Sequence, residues 1–158
     1  MDAEQTRAFL LKLPHVAETM QWGANLVYWA GDKAIGGKMF ALLNLDEPTV
    51  VSKPAPVASF YVGPEQYSEL LETEGVLPAP YFARIYWVAL ARWDVLSTKE
   101  VQTLLAQAHA GTLGKLPART RESLALPKRQ RDQLIAQRRL LLQSAVKKKP
   151  TISTKAIV

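Results

Sequence analysis

The start of the chain has hydrophobic residues at helical spacing. Over residues 2–13, apolar and small positions that include Thr6 and Leu10 recur three or four residues apart and share one face. Asp2 stands at the beginning, and Gln5 follows it three residues later. This is the capping-box pattern, in which two side chains satisfy free amides of the first turn. The pattern therefore predicts a first helix over residues 2–13.

The spacing then changes to the alternation that is typical of strands. In residues 25–30, Leu26 and Tyr28 fall on one side, and Val27 and Trp29 fall on the other. Further strands are predicted over residues 38–45, 50–53 and 85–92. Residues 58–62 either form a separate strand or resume the strand over residues 50–53 beyond a bulge. The dipeptides Gly31-Asp32 and Gly36-Gly37 mark a loop between the first two strands. The proline-rich stretch VLPAPYFA is predicted to be mostly loop before the last strand.

Three more helices are predicted along the rest of the chain. Residues 64–73 begin with proline, and residues 97–110 begin with the capping pair Ser97 and Glu100 and are expected to stop at Gly111. Residues 127–146 contain no internal glycine or proline and also favour a helix. The order of elements predicts an α+β fold, an antiparallel sheet with helices packed on one face.

Charge divides the chain into two parts. Residues 1–118 hold nine Lys and Arg against twelve Asp and Glu, whereas residues 119–158 hold eleven against two. The net charges are therefore −3 and +9. We interpret residues 1–118 as one α+β domain and residues 119–158 as a basic extension, partly helical and disordered beyond Lys147. Such a tail favours polyanionic partners.

Composition also excludes several classes of function. The 158-residue chain has no cysteine, and its only histidines are His15 and His109, too few for a three-histidine zinc site. We therefore expect neither a metal nor a cofactor, and no coherent catalytic set is present. No apolar run reaches the roughly 18 residues of a membrane span, and no secretory signal is visible. We expect a cytoplasmic protein, most simply a monomer.

Four segments together resemble the MmcQ/YjbR-like family. They are LPHVAETMQWG, LVYWAGDKAIGGKMFALLNL, FYVGPEQYSELLE and LPAPYFARIYWVAL, and the similarity extends from about residue 5 to about Leu126. The resemblance implies a CyaY-like fold, similar to frataxin-type domains, and a DNA-binding role through a double-wing arrangement. Two features depart from the family. Tyr61 stands where members often carry a basic residue, and residues 53–56 add length between strands.

Two groups of residues are candidates for nucleic-acid contact. On the domain, a polar-aromatic surface is expected from Trp22, Lys38, Tyr81, Arg84 and Trp87. Its cations would hold phosphates, and its aromatic rings would stack on unpaired bases. The alternative is that the aromatics serve packing and that Arg84 pins a loop. In the extension, the candidate cations are Lys128, Arg129, Arg131, Arg138, Arg139, Lys147, Lys148 and Lys149.

The preferred hypothesis is a non-catalytic nucleic-acid-binding protein, most simply a DNA-binding one, with little sequence specificity. One alternative is a protein-interaction module that docks a partner through residues 127–146. Another is a frataxin-like domain that binds a small ligand or a metal. For that case the acidic residues of one helix, Glu65, Glu69, Glu72 and Glu74, are the obvious ligands, although their spacing equally suits a solvated surface.

Overall fold

The computed structural model describes residues 1–45 and 55–157, with side chains as far as Ala145. The helices are α1 (Ala3–Leu11), α2 (Pro64–Leu70), α3 (Thr98–Gly114), α4 (Ala118–Leu124) and α5 (Lys128–Ile157). The strands are β1 (Val16–Gln21), β2 (Asn25–Ala30), β3 (Lys38–Asn44), β4 (Ala58–Tyr61), β5 (Val76–Pro78) and β6 (Trp87–Leu90). The predicted strand over residues 50–53 lies outside the described residues.

The six strands form one antiparallel sheet in the order β1-β2-β3-β4-β6-β5. Side chains alternate between its two faces. One face carries Leu26, Leu43 and Phe60, all buried against Leu10 of α1 and Leu105 of α3. The predicted α+β fold, with helices packed on one face of an antiparallel sheet, is confirmed.

The opposite face of the sheet is partly covered by loops. Neighbouring strands place Val27, Leu42, Ser59 and Ala89 side by side on this face. The segment between β5 and β6 lies against this face at the β6 side of the sheet. Its residue Phe82 packs against the small buried cluster of Ala79, Trp87 and Ala89. Among the residues that the structure describes, none covers the face between this segment and the β1–β2 turn, where a pocket lies.

Two strands that the pattern did not predict lie at the edges of the sheet. The segment of β1, VAETMQ, is half polar, and it becomes a strand by pairing along its whole length with β2. The strand β5 ends in Pro78. An edge strand tolerates proline because the backbone amides on its outer side have no neighbouring strand to bind. The predicted loop over VLPAPYFA is therefore wrong for its first three residues.

The C-terminal helices differ in extent from those that the sequence predicted. Helix α3 continues through Gly111, so the predicted stop there is wrong, and His109 lies well inside the helix. Helix α4 was not predicted; it buries Thr120 and Leu124 beside the Gly31–Gly37 loop. Helix α5 begins at Lys128, one residue into the predicted helix over residues 127–146, and continues to Ile157, where disorder was expected. The division at residue 118 stays a prediction.

A partly exposed hydrogen-bond network connects α1 to the β1 edge. The Glu18 carboxylate accepts two hydrogen bonds from the Arg7 guanidinium, at 2.8 and 3.0 Å, and one from the Tyr28 hydroxyl, at 2.7 Å. The hydrogen bonds from Arg7 are the main reason that the pKa of Glu18 is lowered. Burial and the same carboxylate raise the pKa of Tyr28. The network therefore requires an ionised Glu18 and a neutral Tyr28.

Replacing Tyr28 by phenylalanine is expected to lower the free energy of unfolding by about 1–3 kcal/mol at pH 7, since a charged acceptor loses a donor. Because the pKa of folded Glu18 lies below its unfolded value, its contribution is complete above the unfolded pKa. It is lost as the pH falls through the folded pKa. Urea unfolding between pH 7 and pH 3 measures the difference in free energy of unfolding between the parent and the Tyr28→Phe variant. This difference should shrink as the pH falls. A difference that does not change with pH contradicts the network.

Candidate functional site

The structure sorts the cations of α5 by what they contact. Arg131 donates to the carbonyl oxygen of Leu124 at 3.3 Å, and Arg139 forms an ion pair with Asp32. That ion pair raises the pKa of Arg139. These two arginines therefore attach α5 to the rest of the fold, and they are less available for phosphates than the sequence indicated.

Two other arginines of α5 face solvent. Arg129 and Arg138 are exposed, and neither forms an ion pair with any side chain that the structure describes. Lys128 is also exposed, and its amine lies 2.8 Å from Asp132, whose pKa it lowers. The side chains of Lys147, Lys148 and Lys149 lie beyond Ala145, outside the described side chains.

The proposed polar-aromatic surface of the domain is divided by the structure. Lys38 begins β3 opposite Ala30, whereas Asn44 ends β3 opposite Asn25, three residues after Trp22. The two ends of this strand are about 20 Å apart at ~3.3 Å per residue. Lys38 and Trp22 therefore belong to opposite ends of the sheet and do not form one surface.

The aromatic residues of that surface also differ in burial. Tyr81 is 98% exposed and Trp22 is 59% exposed, whereas Trp87 is 2% exposed. The ring of Trp87 packs 5.1 Å from that of Phe82. The packing alternative therefore applies to Trp87 alone. Arg84 is exposed on the short 3₁₀ turn Ala83–Ile85.

An apolar pocket lies on the open face of the sheet, between the β1–β2 turn and the β5–β6 segment. It has a volume of about 510 Å³. The aromatic side chains around it are Trp22, Tyr81 and Phe82, and the other lining residues are Asn25, Leu42, Asn44, Ala55, Pro56, Ser59 and Pro80. The sequence singled out Trp22 and Tyr81; it did not show that strand pairing places Asn25, Leu42 and Ser59 beside them.

A second concavity separates α5 from the edge strand β1. This groove of about 950 Å³ has residues of β1 on one side and Arg131, Ile135, Arg139 and Leu142 of α5 on the other. His15 also lines it, and burial followed by the nearby charge of Arg131 lowers the pKa of His15. Helix α5 contacts the 3₁₀ turn Lys33–Ile35, whose residues Lys33 and Ala34 also line the groove.

The histidines and acidic residues of the described part of the chain form no cluster that could hold a metal ion. His109 is buried, with its Nε2 atom 2.7 Å from the carbonyl oxygen of Pro14 and its ring edge-on to Phe40. These contacts give it a structural role. No three His, Asp or Glu residues lie close enough to hold a metal ion among the residues described.

The family model YjbR matches residues 11–110. That match covers more than half of the chain and spans β1 to most of α3. The chain belongs to the YjbR family.

The YjbR-family fold is also seen in a solved structure. The crystal structure of Deinococcus radiodurans protein DR2400, which has a DUF419 domain, superposes with a TM-score of 0.64. The two sequences are 22% identical, and the match covers 80% of this chain and 89% of that one. This similarity supports the fold alone. No curated protein matches the chain.

None of the helices in the described part of this YjbR-family chain combines the length and the apolar composition that a membrane crossing requires.

Proposed function

We propose that this YjbR-family protein is a non-catalytic nucleic-acid-binding protein that binds DNA with little sequence preference, mainly through α5. The observation that carries the proposal is that α5 exposes Arg129 and Arg138 with no acidic partner among the described side chains. The charge of +9 in residues 119–158 provides the long-range attraction, since residues 1–118 carry −3.

The arrangement of these cations favours phosphates over bases. Arg129 and Arg138 are nine residues apart, which places them on opposite sides of the helix at about 100° per residue. Cations distributed around a helix can neutralise backbone phosphates in several orientations, and phosphate contacts carry no sequence information. Low specificity is therefore the expected behaviour.

The salt dependence of DNA binding tests the proposal. If about five cations meet phosphates, the logarithm of the affinity should fall against the logarithm of the salt concentration with a slope of roughly −4 to −5. Removing residues 127–158 should abolish most of this slope. Fluorescence anisotropy on a labelled duplex and on a scrambled duplex measures both, and the two duplexes should bind nearly equally.

The outcome of the deletion separates the candidate surfaces. Equal binding by the full and shortened chains would move the site onto the folded domain and contradict the role of α5. Circular dichroism shows whether the shortened chain keeps its fold. The hydrogen bonds of Glu18 with Arg7 and Tyr28 lie in α1, β1 and β2, outside the deleted residues. Replacing Tyr28 by phenylalanine should therefore lower the free energy of unfolding of the shortened chain as it does for the full chain.

The groove between α5 and β1 favours a second candidate, a protein-interaction module. An edge strand leaves backbone groups available for a further strand, and Ile135 and Leu142 provide apolar contacts beside it. A co-purified partner that is retained after nuclease treatment supports this candidate. A partner that is released by nuclease supports the nucleic-acid proposal.

A further inference from the structure

The pocket on the open face of the sheet has the composition of a site for a neutral, planar ligand. Its described lining contains no Asp, Glu, Lys or Arg. Leu42, Pro56 and Pro80 provide apolar walls, and Asn25 and Ser59 are polar side chains of the strands that form its floor. A few polar groups in a mostly apolar cavity of about 510 Å³ are typical of small-molecule sites.

The two most exposed aromatics of the pocket are held in a costly backbone conformation. Trp22 has a φ of 50° and Tyr81 has a φ of 68°. The left-handed region costs a residue with a side chain about 1–2 kcal/mol. Such conformations cluster at functional sites, where the surrounding structure enforces them. Here two of them present large aromatic rings to solvent around one cavity.

Local contacts hold these aromatics in place. The Asn25 amide donates to the carbonyl oxygen of Trp22 at 2.7 Å, which fixes the β1–β2 turn. The Trp22 ring lies 6.4 Å from the Phe82 ring, and Phe82 in turn packs on the buried Trp87. Prolines at positions 78 and 80 restrict the chain that leads into Tyr81. The Trp22 side of the pocket is therefore held in position without a ligand.

We propose that this pocket, built by Trp22, Tyr81 and Phe82, binds an unpaired nucleobase. A base is neutral and planar, so it suits aromatic walls without charged groups, and its edges hydrogen bond with amide and hydroxyl groups. Because the described lining has no cation that could hold a phosphate, a phosphate attached to the base would stay outside the cavity. A paired base cannot enter, because its faces and edges are occupied within the duplex.

This inference goes beyond the proposed function and stands independently of it. Phosphate contacts by α5 weaken steeply with salt, whereas an uncharged nucleoside has no phosphate and its binding is nearly independent of salt. Binding at about 0.5 M NaCl therefore reports on the pocket. Loss of the α5 salt dependence would remove the proposed function and leave this site in place.

Two probes test the pocket in the full-length chain at about 0.5 M NaCl. The first is each of the four nucleosides alone, and the second is a short single-stranded oligonucleotide, with the matching duplex as comparison. Saturation-transfer NMR and tryptophan fluorescence measure binding. We expect binding in at least one arm, together with a preference for the single strand over the duplex. Tighter binding of a nucleoside indicates that the ligand is a free nucleoside. Tighter binding of the oligonucleotide indicates that the ligand is a base within a single strand.

Variants of the two exposed aromatics assign the binding to this pocket. Trp22→Ala and Tyr81→Ala should each weaken binding roughly 5- to 100-fold, the range of a stacked base. Tyr81→Phe keeps the ring and should bind as the parent does. Ile85→Ala is the matched control, since Ile85 is 52% exposed on the same segment and does not line the pocket. Thermal unfolding confirms that each variant is folded.

Three results would overturn the inference. The first is that neither the nucleosides, at millimolar concentration, nor the single-stranded oligonucleotide binds. The second is binding that Trp22→Ala and Tyr81→Ala leave unchanged, or that Ile85→Ala weakens equally, because the base then lies elsewhere. The third is equal affinity for the single strand and the duplex, because a paired base cannot enter the pocket.

Discussion

Charge reversal at Arg129 and Arg138 is expected to weaken DNA binding on the order of 100-fold at about 50 mM salt. Each lost phosphate contact reduces the slope of log affinity against log salt by about 0.9. At low salt, the loss of two such contacts corresponds to the roughly 100-fold weaker affinity. The double variant Arg129→Glu and Arg138→Glu keeps α5 and its contacts with the domain. Fluorescence anisotropy over a series of salt concentrations gives both the affinity and the slope.

The matched control for this variant is Lys38→Glu with Arg84→Glu, which changes the net charge by the same amount. Both residues are exposed, and both belong to the surface that the sequence indicated on the domain. We expect the control to lower the affinity less than about tenfold and to keep most of the slope. A larger loss in the control than in the α5 variant would place the DNA site on the domain.

Replacing Gly37 by alanine is expected to destabilise the fold by about 1–3 kcal/mol or more. A Cβ atom at Gly37 would lie 1.8 Å from the carbonyl oxygen of Gly31 and 2.8 Å from that of Asp32. Both are backbone atoms, so the loop itself must move. Because Asp32 pairs with Arg139, this movement should also loosen the attachment of α5.

The control is Gly111→Ala, which should have the opposite sign. Gly111 lies inside α3, and a Cβ atom there meets nothing within 4 Å. Alanine in a helix is favoured over glycine by about 0.5–1 kcal/mol, so this variant should be slightly more stable. Urea unfolding compares the two variants with the parent. A neutral Gly37→Ala would show that the Gly31–Gly37 loop is not closely packed.

Elements with a regular pattern were predictable along the chain. The predicted strand over residues 25–30 coincides with β2, whose side chains are buried on both faces. The capped starts of α1 and α3 were also predictable, because Asp2 and Ser97 each accept from an amide three residues later. These features depend on neighbours in the sequence, so the pattern is sufficient.

Elements that depend on distant partners were missed. The strand β1 includes Glu18, whose charge is met by Arg7 of α1 and the hydroxyl of Tyr28. Nothing near Glu18 in the sequence indicates that compensation. Likewise, Tyr61 stands where a basic residue was expected from the family, and a cation from a distant segment lies beside it. The amine of Lys115, the residue that follows α3, donates to the Tyr61 hydroxyl at 2.7 Å.

The sequence by itself determined the α+β class, the basic C-terminal segment and the absence of cysteine chemistry, because composition and periodicity are properties of the chain. Only the tertiary structure decided which candidates share a surface. Antiparallel pairing of β2 with β3 sends Lys38 to one end and Trp22 to the other. Packing buries Trp87 and leaves Tyr81 exposed. Exposure and proximity depend on strand register and on contacts between distant segments, which no local pattern contains.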